Sequence, residues 1–295
     1  MQGALALVNG VLYVGRHEAT AHVRPYDLDG RPLSEGFSFR GPGGEACALG
    51  GLAVDEDHHI WIGDRLAEQV RGFTLFGREF AAFSGVQAGS ADVRGGLTQL
   101  VDLALVRPAG HEEVEPALIV ARGGWRRHAV QLFTTEGRWS GSLKPQGDPI
   151  GRFRGVRAVS SLGRLVYVCE GRPGRIQVFR DGEFHFQFTI PVRAGGAFEP
   201  VAVAPLESGR LVVACGGEES GLLLVDAGGR LVRVLAEAGT EAGQVREPND
   251  LEAEAGDAGS DPRIVAIDLD AERVQVFTLG GRCHGELSEL PGRAL

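Results

Sequence analysis

Six copies of one strand signature recur along the chain, each a run of four residues that starts apolar and ends bulky or β-branched, followed by a turn glycine. They are Val23–Tyr26 with Gly30, Val70–Phe73 with Gly77, Val130–Phe133 with Gly137, Ile176–Phe179 with Gly182, Leu222–Val225 with Gly229 and Val274–Phe277 with Gly281. Their first residues are 47, 60, 46, 46 and 52 positions apart. A recurring unit of roughly 40–50 residues built from short strands predicts a β-propeller or a related array. The expectation is an all-β, six-bladed propeller with four antiparallel strands per blade around a central channel.

The second unit is written most cleanly. Gly51-Leu52-Ala53-Val54-Asp55 makes one strand and Glu56 to His59 a turn. Ile60-Trp61-Ile62-Gly63-Asp64 is a second strand, Val70 to Phe76 a third, and Arg78 to Phe83 a fourth. Alternation, β-branched and aromatic residues and glycine punctuation favour strands over helices. Second strands recur at 12–16, 118–122, 166–170, 211–215 and 264–268. The unit Gly-Leu-Ala-Val-Asp … Ile-Trp-Ile-Gly-Asp … Gln-Val-Arg-Gly-Phe … Gly-Arg-Glu-Phe resembles an NHL repeat. That resemblance, which covers most of the chain, implies a propeller, commonly six-bladed, and leaves activity open because the scaffold hosts many functions.

The chain of 295 residues then forms one propeller domain, with blades at about 1–41, 42–94, 95–150, 151–195, 196–245 and 246–295. It starts on an innermost strand (Ala4 to Val8) and ends on an outermost one (Gly285 to Leu290), so the ring closes by packing of its first and last blades. A net charge of −9 argues against broad binding to nucleic acid, RNA included. No segment approaches the roughly 20 apolar residues that span a bilayer. Cys47, Cys169, Cys215 and Cys283 have no CxxC spacing, which fits free thiols in a reducing cytoplasm. Lys144 is the only lysine against 29 arginines, a bias of the kind a GC-rich bacterial genome produces.

In an antiparallel four-stranded blade, the links between blades share one end with the second-to-third strand loops. The tight glycine turns lie at the other end, so the inter-blade face is the expected working face. There Arg122, Arg126, Arg127, Arg152, Arg154 and Arg157, interleaved with Trp125, offer a basic rim for a small anionic ligand or an acidic protein segment. RNA-binding NHL propellers use a basic face of this sort. Blades 5 and 6 carry acids instead, among them Glu199, Glu218, Glu219, Glu247, Asp250, Asp268 and Asp270. Acid–base pairs five residues apart, Glu170 with Arg175 and Asp268 with Arg273, are expected as exposed loop pairs contributing about 0–1 kcal/mol.

Glu199-Pro200 and Pro248-Asn249-Asp250 resemble stretches in six-bladed lactonases of the gluconolactonase type. The resemblance implies Glu199, Asn249, Asp250 and Asp268 as oxygen ligands for Ca²⁺ or Mg²⁺, an ion able to polarise an ester carbonyl. Equivalent acids are missing from the start of blades 1 and 2, and an NHL repeat accounts for the same residues as the start of a strand. No Ser-His-Asp order or GxSxG is present, and no residue is assigned a catalytic role. The expected function is a non-catalytic binding or assembly platform, with a metal-dependent hydrolase as the alternative and the oligomeric state open.

Overall fold

The computed structural model describes residues 2–17, 20–41, 43–86, 92–106, 116–172, 174–190, 199–217, 220–254, 262–269 and 272–287. Within them six four-stranded antiparallel sheets surround a common axis. Counted outward from the channel, blade 1 is Gln2–Val8, Val11–His17, Ala21–Tyr26 and Phe37–Phe39, and blade 2 is Leu49–Val54, Ile60–Asp64, Gln69–Phe73 and Glu79–Ser84. Blade 3 is Leu100–Val106, Ala117–Arg122, Val130–Phe133 and Trp139–Ser142. Blade 4 is Val156–Leu162, Leu165–Glu170, Arg175–Arg180 and Glu183–Thr189. Blade 5 is Glu199–Pro205, Leu211–Gly216, Gly221–Val225 and Leu231–Ala236, and blade 6 is Pro248–Glu254, Arg263–Asp268, Arg273–Phe277 and Cys283–Glu286. No helix among the described residues is long and apolar enough to cross a membrane.

The repeat signature forms the third strand and the turn after it. In blade 2 the Gly77 N–H donates to Thr74 O at 2.9 Å and Thr74 N–H to Arg78 O at 2.9 Å, with Gly77 at φ 76°. Blades 1, 3, 5 and 6 repeat this turn with Gly30, Gly137, Gly229 and Gly281 at φ 81–87°. A side chain is strained in that left-handed region, which is why the glycine recurs. Blade 4 differs, since Asp181 and Gly182 form a two-residue hairpin with both φ positive. The insertions at 108–116 and 255–262 fall outside the described residues except Pro116 and Pro262, and so does the end of the last outer strand after residue 287.

Both faces of each second and third strand are covered, because each blade packs a neighbour on either side. Ala4, Ala6, Tyr13 and Val23 of blade 1 meet Leu49, Leu52, Ile60 and Ile62 of blade 2. The opposite side of blade 1, Leu5, Leu12, Val14 and Tyr26, meets Val265, Ile267, Val274 and Val276 of blade 6. That last contact closes the ring, and each blade is built from strands consecutive in sequence. Blade 6 also reaches blade 1 with side chains: Leu5 N–H donates to Asp250 (2.7 Å), Gly10 N–H to Glu254 (2.6 Å), and Asn249 Nδ2 to Gly3 O (2.6 Å).

One polar position inside the signature proves to be structural. Gln131, Gln177 and Gln275 are fully buried in third strands. Each clamps the preceding inter-blade link: Gln131 takes Gly95 N–H and donates to Gly96 O, Gln275 takes Gly243 N–H and donates to Gln244 O, and Gln177 takes Gln146 N–H. The Glu170–Arg175 and Asp268–Arg273 pairs are not exposed as the sequence suggested. Both acids are fully buried and both arginines are 6–7% exposed, since the link that enters their own blade from the preceding one covers them. The small surface-pair contribution therefore does not apply to them.

All four cysteines are free. Burial pushes the Cys215 thiol up to about 12, and burial followed by the nearby Cys215 pushes Cys169 well above the ordinary thiol range. Both are thus held as unreactive thiols.

Candidate functional site

The six innermost strands line the channel, and strand alternation decides which side chains point into it. In blade 3, Leu100 faces Arg122 but Asp102 faces Ala121, so Val101 bulges; in blade 6, Pro248 faces Asp268 but Asp250 faces Ile267, so Asn249 bulges. The two bulges sit three blades apart in a ring of six, on opposite sides of the channel. They place Asp102 and Asp250 in one mouth cavity of about 70 Å³, with Val101 and Asn249 beside them and Arg65 and Arg157 on its border. Blades 1, 2 and 4 bring Ala4, Leu49, Gly51 and Ala158 to the same cavity, so mostly small residues stand around the acids. Gly51 (φ 129°) also lets blade 2 approach blade 3, because a Cβ there would stand 2.3 Å from Leu103 N.

Each aspartate fastens its blade to the next. Asp102 accepts Leu103 N–H on Oδ1 and Val159 N–H of blade 4 on Oδ2, both at 2.8 Å. Asp250 accepts Leu251 N–H on Oδ1 at 2.8 Å and Leu5 N–H of blade 1 on Oδ2 at 2.7 Å. One bond per oxygen leaves each carboxylate about two acceptor sites. Below the mouth, Glu252 lines a second channel cavity of about 130 Å³ with Ala6, Ala53, Ala104 and Ser160.

The three acids follow one another along the channel, and burial raises each of them. Burial, and then the Asp250 charge, push the Asp102 carboxyl well above the usual carboxylate range. Burial pushes Asp250 up to about 6 against the pull of its two backbone N–H bonds. Glu252 is raised by burial and then by Asp250 and Asp102. Desolvated like charges favour protonation or a bound cation, and perturbed groups of this kind in a cleft mark candidate sites.

The residues singled out from the sequence are distributed unevenly. Asn249 and Asp250 line the mouth cavity. Glu199 is engaged by Arg172 at 2.9 Å and Arg157 at 3.8 Å. Asp268 lies fully buried, accepting Arg246 N–H (3.0 Å) and Glu247 N–H (2.9 Å) beside Arg273 (3.8 Å). Asp102 and Glu252 were not picked out from the sequence. The signal was available: Val101-Asp102-Leu103 and Asn249-Asp250-Leu251 occupy matching places in their units, and Glu252 follows Asp250 at the strand period of two.

The basic rim is largely engaged within the fold. Arg122 is fully buried and donates to Thr98 O at 3.1 Å and His128 O at 3.3 Å. Arg126 is 7% exposed and donates to Gly123 O and the Gln99 side chain, each at 2.8 Å. Arg154 pairs with Asp148 at 3.0 Å, and Arg152 lies 3.9 Å from the same carboxylate. Their guanidiniums stand 5.6 and 5.9 Å from the centroid of Trp125, whose side chain is otherwise exposed. Trp125–Arg126 pairs antiparallel with Phe153–Arg154, so a second-to-third loop and an inter-blade link meet at one end, as strand order required. Arg127 alone of the seven-residue rim set keeps an exposed guanidinium with no acidic partner among the described residues. On the acidic side, Glu218, Glu219 and Asp270 lie outside the described residues.

On the opposite face Asp55, Asp57 and His59 gather in one turn, where Asp55 accepts Asp57 N–H (3.0 Å), His59 N–H (2.8 Å) and the His59 ring (3.0 Å). These bonds make it a local cap.

No protein-family model matches the chain, and no curated protein matches it. Solved propellers do. The chain is similar to a structure described as a nidogen/laminin complex at 12% identity, covering 95% of this chain and 94% of that one with a TM-score of 0.65. It is similar to virginiamycin B lyase from Staphylococcus aureus at 14% identity, covering 96% and 83%, TM-score 0.59. It is similar as well to the WD40 β-propeller domain of Doa1 at 12% identity, covering 97% and 81%, TM-score 0.58. At such identities the likeness establishes the β-propeller fold and leaves function to the site.

Proposed function

We propose that this chain is a single-domain, cytoplasmic propeller of NHL type that serves as a non-catalytic binding platform, taking its ligand at the channel mouth. The observation that carries the reading is the pair of aspartates raised by burial, Asp102 and Asp250, facing one another across a mouth to which blades 1, 2 and 4 bring Ala4, Gly51 and Ala158. Together with Asn249 Oδ1 they offer only oxygen donors, which suits Ca²⁺ or Mg²⁺ over softer metals. Asn249 is oriented by its bond to Gly3 O, which leaves its carbonyl oxygen available. Arg65 and Arg157 border the same cavity, so a protein segment or small ligand carrying a carboxylate would meet cation and guanidinium together. Three protein ligands leave the remaining coordination to water or ligand. Free thiols, with Cys169 and Cys215 held protonated by burial, fit a reducing compartment.

Metal content of protein purified without chelator tests the platform reading. About one Ca²⁺ or Mg²⁺ per chain is expected, whereas metal-free protein with no Ca²⁺-induced thermal shift would remove it. A second reading, a metal-dependent hydrolase of the lactonase type, is favoured by the same oxygen donors, since a cation held by Asp102, Asn249 and Asp250 at the channel mouth would be placed to polarise an ester carbonyl. Hydrolysis of glucono-lactone that vanishes in Asp250→Asn would select this second reading. Metal binding without hydrolysis selects the platform.

A further inference from the structure

A separate groove runs along the flank between blades 3 and 4. It encloses about 780 Å³ between the outer strand Trp139–Ser142, the link from Lys144 to Gly151 and the Gly182-Glu183 turn. Three cations line it: Arg94, Arg127 and Lys144, the only lysine of the chain. All three are exposed, and none forms an ion pair with an acidic side chain among the described residues. On the neighbouring rim the arginines are paired with Asp148 or Glu199. Glu183 on the groove edge and Asp92, which accepts the Arg127 and His128 N–H groups at 3.1 and 3.0 Å, offset part of this charge, and the three cations against them leave a local anion-attracting field in a chain of net charge −9.

Apart from Ser142 and Glu183, the rest of the groove is apolar or planar. Trp139 is 38% exposed with the Arg94 guanidinium 5.8 Å from its ring centroid, Ile150 is 46% exposed, and both line the groove with prolines from the Lys144–Gly151 link. His128 is held in place by its Nδ1 contact with Ser142 Oγ at 3.0 Å. Burial lowers its pKa; Asp92 opposes that, while Arg94, Arg122 and Arg127 lower it further. The volume is that of a small-molecule site.

We infer that this groove binds a small polyanion carrying a planar ring, of the nucleoside phosphate class: Arg94, Arg127 and Lys144 hold the phosphates and Trp139 stacks the ring. Point charges and a guanidinium fork suit phosphate oxygens, and an exposed indole suits any base face. The site is distinct from the channel mouth and does not depend on the reading given to it.

Calorimetric titrations with ADP, inorganic pyrophosphate and adenosine test the inference on the intact protein. ADP is expected to bind saturably, pyrophosphate about tenfold more weakly for want of stacking, and adenosine more weakly still. Arg127→Glu with Lys144→Glu should weaken ADP at least about tenfold and flatten its salt dependence, while Trp139→Ala should weaken ADP and leave pyrophosphate unchanged. Circular dichroism and melting of each variant establish that it is folded. Asp250→Asn, at the channel mouth, should leave ADP affinity unchanged. No ADP binding at millimolar concentration, or binding that Asp250→Asn removes and the groove variants do not, overturns the inference.

Discussion

Replacing Glu170 with alanine should lower the stability of the propeller by about 3–5 kcal/mol, the cost of leaving a buried charge without its partner. Glu170 is fully buried and Arg175 is 6% exposed. The carboxylate accepts Arg175 Nε at 2.5 Å and Nη2 at 3.1 Å, Gln177 Nε2 at 2.7 Å and Arg154 N–H at 2.6 Å. Removing it strands a guanidinium, an amide and a backbone donor at the junction of blades 3 and 4. Urea denaturation is the measurement, with a fall in Tm of about 10 °C accompanying the shift. Arg164→Ala supplies the contrast, since Arg164 and Asp181 pair at the surface with 54% and 42% of their side chains exposed. That variant should melt with the parent; equal losses in the two variants would contradict the burial argument.

Stability should also fall as pH rises from about 4 to 6, the reverse of the usual carboxylate behaviour. The folded-state carboxyls of Asp102, Asp250 and Glu252 are raised, with Asp250 at about 6 against 3.8 for an ordinary aspartate. Below the unfolded pKa both states are protonated and these groups contribute nothing to the pH dependence. Through the window the unfolded chain releases protons that the folded chain retains, so folding loses stability and does not regain it at higher pH. Asp250 alone corresponds to roughly 3 kcal/mol if nothing neutralises it. Asp92 and Asp226 act in the opposite sense, with lowered carboxyls whose contribution is lost as pH falls below the ordinary carboxylate range. In chelator, the urea midpoint should therefore be higher near pH 5 than at pH 7.5, and Asp250→Asn should flatten the difference. A midpoint that climbs steadily from pH 5 to 7.5 would contradict the desolvated state of these acids.

The fold was legible in the sequence because every unit closes its third strand with a glycine at positive φ, in blade 4 with Asp181 beside it, and carries an aromatic or branched residue at the end of that covered strand. The site was half legible. Asn249 and Asp250 stood out through their Pro-Asn-Asp run, whereas Asp102 sits in the plain context Leu-Val-Asp-Leu. Its meaning comes from the bulge that turns it into the channel and from the ring that sets blade 3 opposite blade 6, relations between segments about 150 residues apart. The arginines misled in the other direction. Arg122 and Arg126 look in sequence like surface charge, yet their guanidiniums are built into loop carbonyls. Charge type is written in the sequence; whether a charge is already satisfied is decided by backbone carbonyls that only the folded chain brings within reach.

A titration of Ca²⁺, with Mg²⁺ in parallel, into chelator-treated protein at pH 7.5 by calorimetry tests the channel-mouth assignment most directly. One saturable ion per chain is predicted, weakened at least about tenfold in Asp102→Asn as well as in Asp250→Asn, because loss of a charged ligand from a hard-cation site costs more than 1.4 kcal/mol. Glu199→Gln, whose carboxylate is engaged by Arg172 and Arg157, should bind as the parent does. Absence of binding, or binding indifferent to Asp102→Asn and Asp250→Asn, would contradict the assignment of these two aspartates.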